Sequence, residues 1–499
     1  MRSPVRTGMP RRRVQAAAMN VLFVITALVI LLLMPEERVL IAPALALCAI
    51  ALWFLTTLWV RDGVPPVFES GTMWMLATAV YGTVPMIGFA LMHGQWTEFS
   101  DSRLQQYDFN RAELARFGWD YVIYTVSFVA VYLVARGRRP LRTRMLRRPS
   151  NASIVIILVM LIAIEAVAVA LRVVYQYDLD VSYTQLQQVK ESARQVPYVI
   201  LQFSHVILDA KLVIQQAILA LLFMSWRRWR YRAVLLLWLA AEVVSLVVKL
   251  GSRAPVVLLL LSAGMLYHRL VRPVTFRQFF AVGLILLVAF LGVGVVRVMQ
   301  AAPDVAIPNV LTATNEFQAL FTTAYDIHKQ KEQNVLGDVP WQLYAVDLYL
   351  LIPRQLLPFQ KIDPAQWYVD KIGVTGAVFM FGVMAEAALG LGVVELIARG
   401  LILGLLLGLL HRWYVKHAAG FWLTLLYLFV SIWTYYTFRA TTFWFLYNVV
   451  YEFLPVMAFV KLTELLVSKV RHARNAAAQD GVSEGSRRRR ALPDTAAVR

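Results

Sequence analysis

Long apolar runs separated by short polar segments dominate the chain. Because the hydrocarbon core of a bilayer is about 30 Å thick, a helix needs about 20 apolar residues to cross it. Runs of about this length, bounded by charged residues or by Gly, Pro and Asn clusters, predict an all-α polytopic membrane protein with about twelve transmembrane helices. The predicted spans are residues 16–34, 39–60, 68–92, 117–135, 152–174, 198–224, 233–250, 254–267, 278–298, 392–410, 419–437 and 441–460.

Composition agrees with this pattern. Hydrophobic residues make up 59% of the chain and charged residues 16%, with a mean hydropathy of +0.61, which excludes an ordinary water-soluble protein. The single cysteine, Cys48, excludes an intramolecular disulfide and a zinc site built from cysteines. The first run follows Arg11, Arg12 and Arg13 and lacks a small-residue cleavage site, so we expect a signal anchor rather than a removable signal peptide.

The net charge of +19 is explained by topology. Placing the N-terminus in the cytoplasm puts most basic segments inside, as the positive-inside rule requires, while the loop 93–116 on the outer side is richer in acids. Attraction to anionic lipid headgroups accounts for the remaining basic character, so nucleic-acid binding is not needed. The most basic loop carries Arg136, Arg138, Arg139, Arg142, Arg144, Arg147 and Arg148.

The spans and charges divide the chain into successive regions. A basic cytoplasmic tail (1–15) is followed by a nine-helix transmembrane region (16–298) and by a large outer loop (299–391). Three C-terminal transmembrane helices (392–460) then lead to a second basic cytoplasmic tail (461–499), whose composition predicts disorder. The aromatic and apolar content of the outer loop predicts short helices lying on the membrane surface.

Charged residues within predicted spans are candidate functional groups, because an unpaired charge at membrane depth is costly. In the sixth span, His205, Asp209 and Lys211 are close enough along the helix to form a local polar patch, and we favour structural pairing over catalysis there. An interhelical pair or a position at the membrane edge would explain the other charged groups of this kind, namely Glu165, Glu242, Lys249 and Glu395.

Four cations are predicted on the outer side, each next to a turn residue or a helix end. They are Arg253, Arg354, Lys361 and Arg439. Arg253 could extend to lipid headgroups or bind a phosphate with both arms of its guanidinium. Their location on one side favours an anionic substrate there.

Short motifs around these cations resemble those of the bacterial oligosaccharide repeat-unit polymerases, also called O-antigen polymerases. The resemblance covers about residues 230–460, and the N-terminal half matches only as a hydropathy profile. Near Glu386, where the family usually has longer polar side chains, this chain has alanines. The motifs are Gly251-Ser252-Arg253, Asn315-Glu316-Phe317, Ile352-Pro353-Arg354 with Lys361, Ala385-Glu386-Ala387 before Gly390-Leu391-Gly392, and Phe438-Arg439.

The resemblance implies an inner-membrane glycosyltransferase of polysaccharide and lipopolysaccharide biosynthesis. It would act on the periplasmic face, transferring a glycan from undecaprenyl diphosphate to a lipid-linked repeat unit. Its partners would be the lipid-linked donor and acceptor, membrane lipids and a chain-length regulator. No cofactor is expected, and the scattered histidines make a metal site improbable.

In such a reaction the lipid diphosphate leaves with developing negative charge. We assign Arg253, Arg354 and Arg439 to bind and stabilise it, with Arg354 as the principal catalytic cation and Lys361 as a weaker assistant. The candidate general bases for the attacking hydroxyl are Glu316 and Glu386, although either could simply pair with an arginine.

Three aromatic residues, Trp341, Tyr344 and Trp367, are candidates for stacking on sugar rings, although anchoring at the membrane interface is the alternative interpretation. Other functions also remain open. A secondary transporter shares the layout of about twelve spans, but no two-half repeat is visible. An O-antigen ligase would use the same outer arginines, whereas a flippase would need a cationic cavity across the bilayer.

Overall fold

The computed structural model describes residues 9–97, 100–141, 146–175, 198–249, 254–285, 288, 292, 317–373, 380–417 and 420–470. Every regular element within these ranges is helical. The N-terminal half contains α1 (Met9–Leu33), α2 (Arg38–Asp62), α3 (Ser70–Leu91), α4 (Arg111–Ala135), α5 (Asn151–Tyr175), α6 (Tyr198–Met224), α7 (Trp229–Lys249), α8 (Ala254–Leu270) and α9 (Phe276–Ile285). The C-terminal half contains α10 (Gln318–Glu332), α11 (Trp341–Tyr344), α12 (Val346–Tyr349), α13 (Pro364–Ile372), α14 (Val383–Leu389), α15 (Val393–His417), α16 (Phe421–Trp433), α17 (Trp444–Asn448) and α18 (454–470).

Seven helices of the described ranges are long and apolar enough to cross a membrane. They correspond to α1 to α5, α15, and α16 with the turn that follows it. Shorter apolar helices occupy parts of three further predicted spans, at Ala210–Met224, Leu258–Leu270 and Phe276–Ile285. The protein is therefore an all-helical, multi-pass membrane protein, as the apolar pattern predicts.

Arginines gather at one end of the helical bundle. Arg12 and Arg13 begin α1, Arg61 ends α2 and Arg138 follows α4, so these helix ends meet on one side. Arg61 links two of them by donating to the backbone oxygens of Leu133, at 3.1 Å, and Gly137. We call this side the basic end, and it is the side that the positive-inside rule predicts to be cytoplasmic.

The parallel helices α4 and α15 make the most extensive helix contact in the described chain. Three glycines spaced four residues apart, Gly400, Gly404 and Gly408, lie against the α4 backbone. A Cβ atom at Gly400 would lie 2.6 Å from the carbonyl oxygen of Tyr124, and one at Gly408 would lie 2.7 Å from the Cβ of Ala135. Small residues at this spacing allow close approach of helices in membranes, and here they fix α15 against α4.

The helix α10 belongs to the bundle interior. Its first residues, Leu320 and Phe321, and the preceding Phe317 are buried in the largest apolar core. The Phe317 ring lies 5.0 Å from that of Tyr81, which is halfway along α3. The structure thus differs from the expectation of surface helices for the outer loop, because aromatic side chains insert this part between the spans.

A buried ion cluster lies at the basic end. The guanidinium of Arg136 contacts both carboxylate oxygens of Glu69, at 2.6 and 2.7 Å, and the carboxylate of Asp62 at 2.5 Å. Arg136 is fully buried, so it is not the solvated loop cation that its position in the basic run suggests. Its pairing with acids from α2 and from the start of α3 removes the cost of an isolated buried charge.

The interhelical pair considered for Glu165 is present, and its partner is Lys211. Its ammonium lies 2.8 Å from the carboxylate of Glu165, which joins α6 to α5. Glu242 accepts a hydrogen bond from the indole of Trp238 at 3.1 Å within α7. The side chains of His205, Asp209 and Lys249 lie outside the described residues.

Candidate functional site

A break in the helical path separates α16 from α17. The last turn of α16 tightens into a 3-10 helix, Thr434–Phe438, and residues 439–443 then turn before α17 begins. Phe438 anchors the break, because its buried ring stacks on Tyr81 at 5.0 Å. The guanidinium of Arg439 lies 5.7 Å from the ring of Tyr436. The Phe438-Arg439 motif therefore marks an interruption inside the bundle.

Four charged side chains meet beside this break. Arg399 of α15 lies 3.0 Å from the carboxylate of Glu386 and 2.6 Å from that of Glu395, and it also pairs with Asp347. We call these four residues the Arg399 cluster. Three carboxylates thus share one guanidinium, and Arg399 and Glu386 are both buried. With all three acids ionised the cluster has a net negative charge, and protonation of one carboxyl group reduces this excess.

Glu386 is the carboxyl group that best fits this role. Its Oε2 atom accepts hydrogen bonds from the backbone nitrogen and hydroxyl of Thr442, at 3.0 and 2.6 Å, whereas its Oε1 atom is buried without a hydrogen-bond partner. Burial raises the pKa of Glu386 to about 8, and the repulsion from Asp347 and Glu395 adds to the shift against the attraction of Arg399. Glu386 can therefore exchange a proton near physiological pH.

Backbone contacts hold the cluster in place. Asp347 accepts from the backbone nitrogen of Phe443 at 3.3 Å, which ties α12 to the break. Glu395 accepts from the backbone nitrogen of Leu391 at 3.0 Å. Lys331 of α10 donates to the carbonyl oxygen of Leu389 at 3.0 Å, at the C-terminus of α14. The cluster is thus built from several separate segments of the chain.

A large cavity adjoins the break, between α3, α6, α7, α8, α9 and α16, and its wall extends from Arg439 to Trp226 and Arg272, which follow the ends of α6 and α8. Its volume is about 800 Å³, and aliphatic and aromatic side chains form most of its wall. Arg439 and Phe317 belong to that wall. Gly382, which precedes α14, packs against the backbone carbonyl of Phe438, so the segment carrying Glu386 directly contacts the segment carrying Arg439.

The remaining predicted cation with a described side chain is Lys361. Its ammonium donates to the carbonyl oxygen of Leu350 at 3.2 Å and lies 6.0 Å from the ring centre of Tyr349. Partial burial lowers the pKa of Lys361. Arg253 and Glu316 lie outside the described residues. Arg354 begins a short 3-10 helix, but its side chain lies outside the described part of the structure.

The three predicted sugar-stacking residues lie in the segment between α10 and α14. Trp341 is 56% exposed and packs edge-on against Phe359 at 5.0 Å. Tyr344 is 46% exposed, and the ring of Trp367 lies 5.8 Å from the ammonium of Lys371. Exposed faces are thus available at Trp341 and Tyr344.

Sequence reasoning missed Arg399, Asp347 and Thr442. A signal for Arg399 was present, because it lies four residues after Glu395 in a predicted span, the spacing of an intrahelical ion pair. Asp347 and Thr442 carry no local signal, since long-range packing brings them to the cluster. No group of three or more His, Cys, Asp or Glu side chains in the described ranges could hold a metal ion.

Comparisons with protein-family models, with curated proteins and with solved structures find no match to this chain.

Proposed function

We propose that the protein is a metal-independent glycosyltransferase that polymerises oligosaccharide repeat units carried on a lipid diphosphate. The observation that carries the proposal is the contact between Gly382 and Phe438. It brings the segment that carries Glu386, a buried carboxyl group with a raised pKa, against the segment that carries Arg439, a cation in the wall of an apolar cavity. The reaction would take place on the outer, periplasmic face of a bacterial inner membrane.

The cavity supports a lipid-linked substrate. Its volume of about 800 Å³ lies within the range of about 300–1,000 Å³ that is usual for ligand sites. Side chains such as Val80, Leu261 and Phe279 make the wall apolar. A prenyl chain in this cavity would be removed from water, which is favourable for an apolar group. Arg439 in the same wall supplies a planar donor for a phosphate.

The proposed chemistry is a substitution at the anomeric carbon of the donor. The acceptor hydroxyl oxygen forms the new bond to that carbon, and the bond to the diphosphate oxygen breaks with its electron pair on the leaving group. The hydroxyl proton passes to Glu386 in its deprotonated form, and the bonded Thr442 hydroxyl extends the proton path towards the break. Arg439, with Arg253, Arg354 and Lys361, would stabilise the departing diphosphate.

Polymer formation by membranes supplied with a lipid-linked repeat unit tests this proposal. Glu386→Gln keeps the shape of the side chain but cannot accept the proton, and Arg439→Ala removes the cation that lies in the cavity wall at the break. Both variants should lose the ladder of polymer lengths while accumulating in the membrane as the wild type does. The matched control is Arg412→Ala, an exposed arginine at the basic end of α15, which should leave the ladder unchanged. Normal ladders from both site variants would contradict the proposal.

A proton-coupled transporter is the second candidate, because the protonatable Glu386 within the buried Arg399 cluster also suits proton coupling. Substrate-driven proton uptake by protein-containing vesicles, lost in Glu386→Gln and without any glycan product, would favour it. A flippase would move the lipid-linked unit without joining units. An O-antigen ligase would use the same donor, but its product would be finished polymer on a different acceptor.

A further inference from the structure

A second cavity lies at the basic end, between α1, α2 and α4. Its volume is about 840 Å³, and its wall contains three arginines, Arg13, Arg61 and Arg138, together with polar side chains such as Asn20 and Thr56. No Asp or Glu is among the described residues that form this wall. The cavity is therefore a cationic compartment, separate from the Arg399 cluster and from the apolar cavity.

The structure fixes one of these arginines firmly. Arg61 donates to the backbone oxygens of Leu133 and Gly137 at the C-terminus of α4. Its Nε atom is buried and has no hydrogen-bond partner in the described structure. The guanidinium of Arg61 is thus held in a fixed position in the cavity wall by its bonds to α4.

The acids close to this cavity are already engaged. Asp62, the neighbour of Arg61, lies 2.5 Å from the guanidinium of Arg136, and Glu69 contacts the same guanidinium at 2.6 Å. Both carboxylates thus form their ion pairs with Arg136 rather than with an arginine of the cavity wall. The described wall holds three cations, Arg13, Arg61 and Arg138, and no acidic side chain of its own, which favours an anionic ligand.

The rim of the cavity points to a lipid as the source of that anion. Val134 and Trp53 form part of the wall and are 81% and 49% exposed, as expected for side chains that face hydrocarbon. On α1, Val21 and Leu22 are also largely exposed. An acyl chain can follow these apolar surfaces while its headgroup remains in the polar compartment.

A contact between α1 and α2 forms part of the cavity wall. Asn20 donates to the Thr56 hydroxyl at 3.0 Å and to the carbonyl oxygen of Ala16 at 2.8 Å, so a polar bridge joins the two helices within the cavity wall. Arg12 packs against Gly63 at the end of α2, which fixes the start of α1 beside the same compartment.

We propose that this cavity binds the phosphate group of an anionic phospholipid from the cytoplasmic leaflet. Arginine guanidiniums bind phosphate oxygens through paired hydrogen bonds, and the position of the basic end places them at headgroup depth. Lipids and soluble metabolites both carry phosphate esters that these arginines could bind. The apolar rim favours a lipid as the ligand. The site is independent of the proposed glycosyl transfer.

Native mass spectrometry of the purified full chain, with bound phosphatidylglycerol counted after detergent exchange, tests the proposal. The variant Arg13→Gln with Arg138→Gln changes two exposed arginines of the wall and leaves Arg61 to cap α4. Lipid affinity should fall by about tenfold or more, because each basic residue near a membrane contributes a substantial share of headgroup attraction. The matched control, Arg227→Gln with Arg230→Gln, removes the same charge from exposed basic-end positions outside this wall and should retain the lipid.

The outcomes separate the alternatives. Equal loss of lipid in both double variants would show general surface attraction and would overturn the site. Displacement of the lipid by equal concentrations of inorganic phosphate or glycerol phosphate would overturn the assignment to a lipid source. Loss in the wall variant alone, with no displacement by the soluble phosphates, is the result expected.

Discussion

The carboxylate of Glu386 and the guanidinium of Arg399 lie 3.0 Å apart, and yet the pKa of this carboxyl group is raised. An arginine at this distance ordinarily favours the charged form of its partner. Here burial of Glu386 and repulsion from Asp347 and Glu395 outweigh the attraction, because Arg399 is shared among three acids.

The raised pKa predicts the dependence of activity on pH. If Glu386 accepts the hydroxyl proton, only its deprotonated form is active, so the rate of polymer formation should rise with pH and reach half of its plateau near pH 8. Initial rates with a lipid-linked repeat unit between pH 5.5 and 9.5 measure this. A rate that does not change with pH, or one that reaches half of its plateau near the ordinary glutamate pKa, would show that Glu386 is not the base.

The same group predicts a change of stability with pH. The folded pKa of about 8 is above the ordinary glutamate value of 4.5, so the folded state binds the proton more tightly than the unfolded state. The stability that this provides is fully present below about pH 4.5 and is lost as pH rises through 8. Thermal unfolding in detergent should show wild-type protein losing stability over this window relative to Glu386→Gln. Parallel curves for the two proteins would disprove the linkage.

Removing Arg399 should destabilise the protein. In Arg399→Gln the buried carboxyl group of Glu386 and the partly buried one of Asp347 lose their shared cation, and the loss of one partner from a buried ion pair typically costs about 3–5 kcal/mol. The free energy of unfolding in mixed micelles measures the change. Adding Asp347→Asn should restore part of the loss by removing one repelling acid, whereas no recovery would show that charge is not the cause.

The close contact of α15 with α4 predicts a steric effect at Gly404. A larger residue there must displace the backbone near Phe128, so Gly404→Val should lower stability by about 1–3 kcal/mol, as overpacked sites do. Unfolding in mixed micelles again provides the measurement. The matched control is Gly283→Val, because the space around Gly283 is open, and equal losses at both glycines would argue against the helix contact as the cause.

The buried ion cluster predicts a different effect for two arginines of one basic run. Arg136→Met leaves Glu69 buried without its cation and should cost about 3–5 kcal/mol. Arg148→Gln changes an exposed residue and should alter stability by less than about 0.5 kcal/mol. Thermal unfolding of the two variants compares them. Similar losses of stability in the two variants would mean that Arg136 does not stabilise the fold through its ion pairs.

The helical spans could be predicted from the sequence because the requirement for about 20 apolar residues is local. Glu386 and Arg439 could be named as candidates from the sequence, since each stands next to turn residues or small residues that interrupt an apolar run. The partners of Glu386 could not be predicted in the same way. Asp347 and Thr442 come from segments far apart in the chain, and only the folded bundle brings them together.

The burial of residues in the predicted loops also could not be predicted from the local sequence. Arg136 belongs to a basic run that fits the positive-inside rule, and nothing in that run distinguishes the one arginine that pairs with Glu69. The apolar residues Phe317 and Phe321 suit a helix on a membrane surface as well as a helix inside the bundle. Their contact with the middle of α3 is a property of the tertiary structure.

The glycine contact between α4 and α15 also constrains how the protein is made. α4 enters the membrane during synthesis of the first third of the chain, but the helix that fits its backbone groove arrives only near the end. The close contact between the two helices can therefore form only after the C-terminal helices have been synthesised, and a chain truncated before α15 would lack the partner of α4.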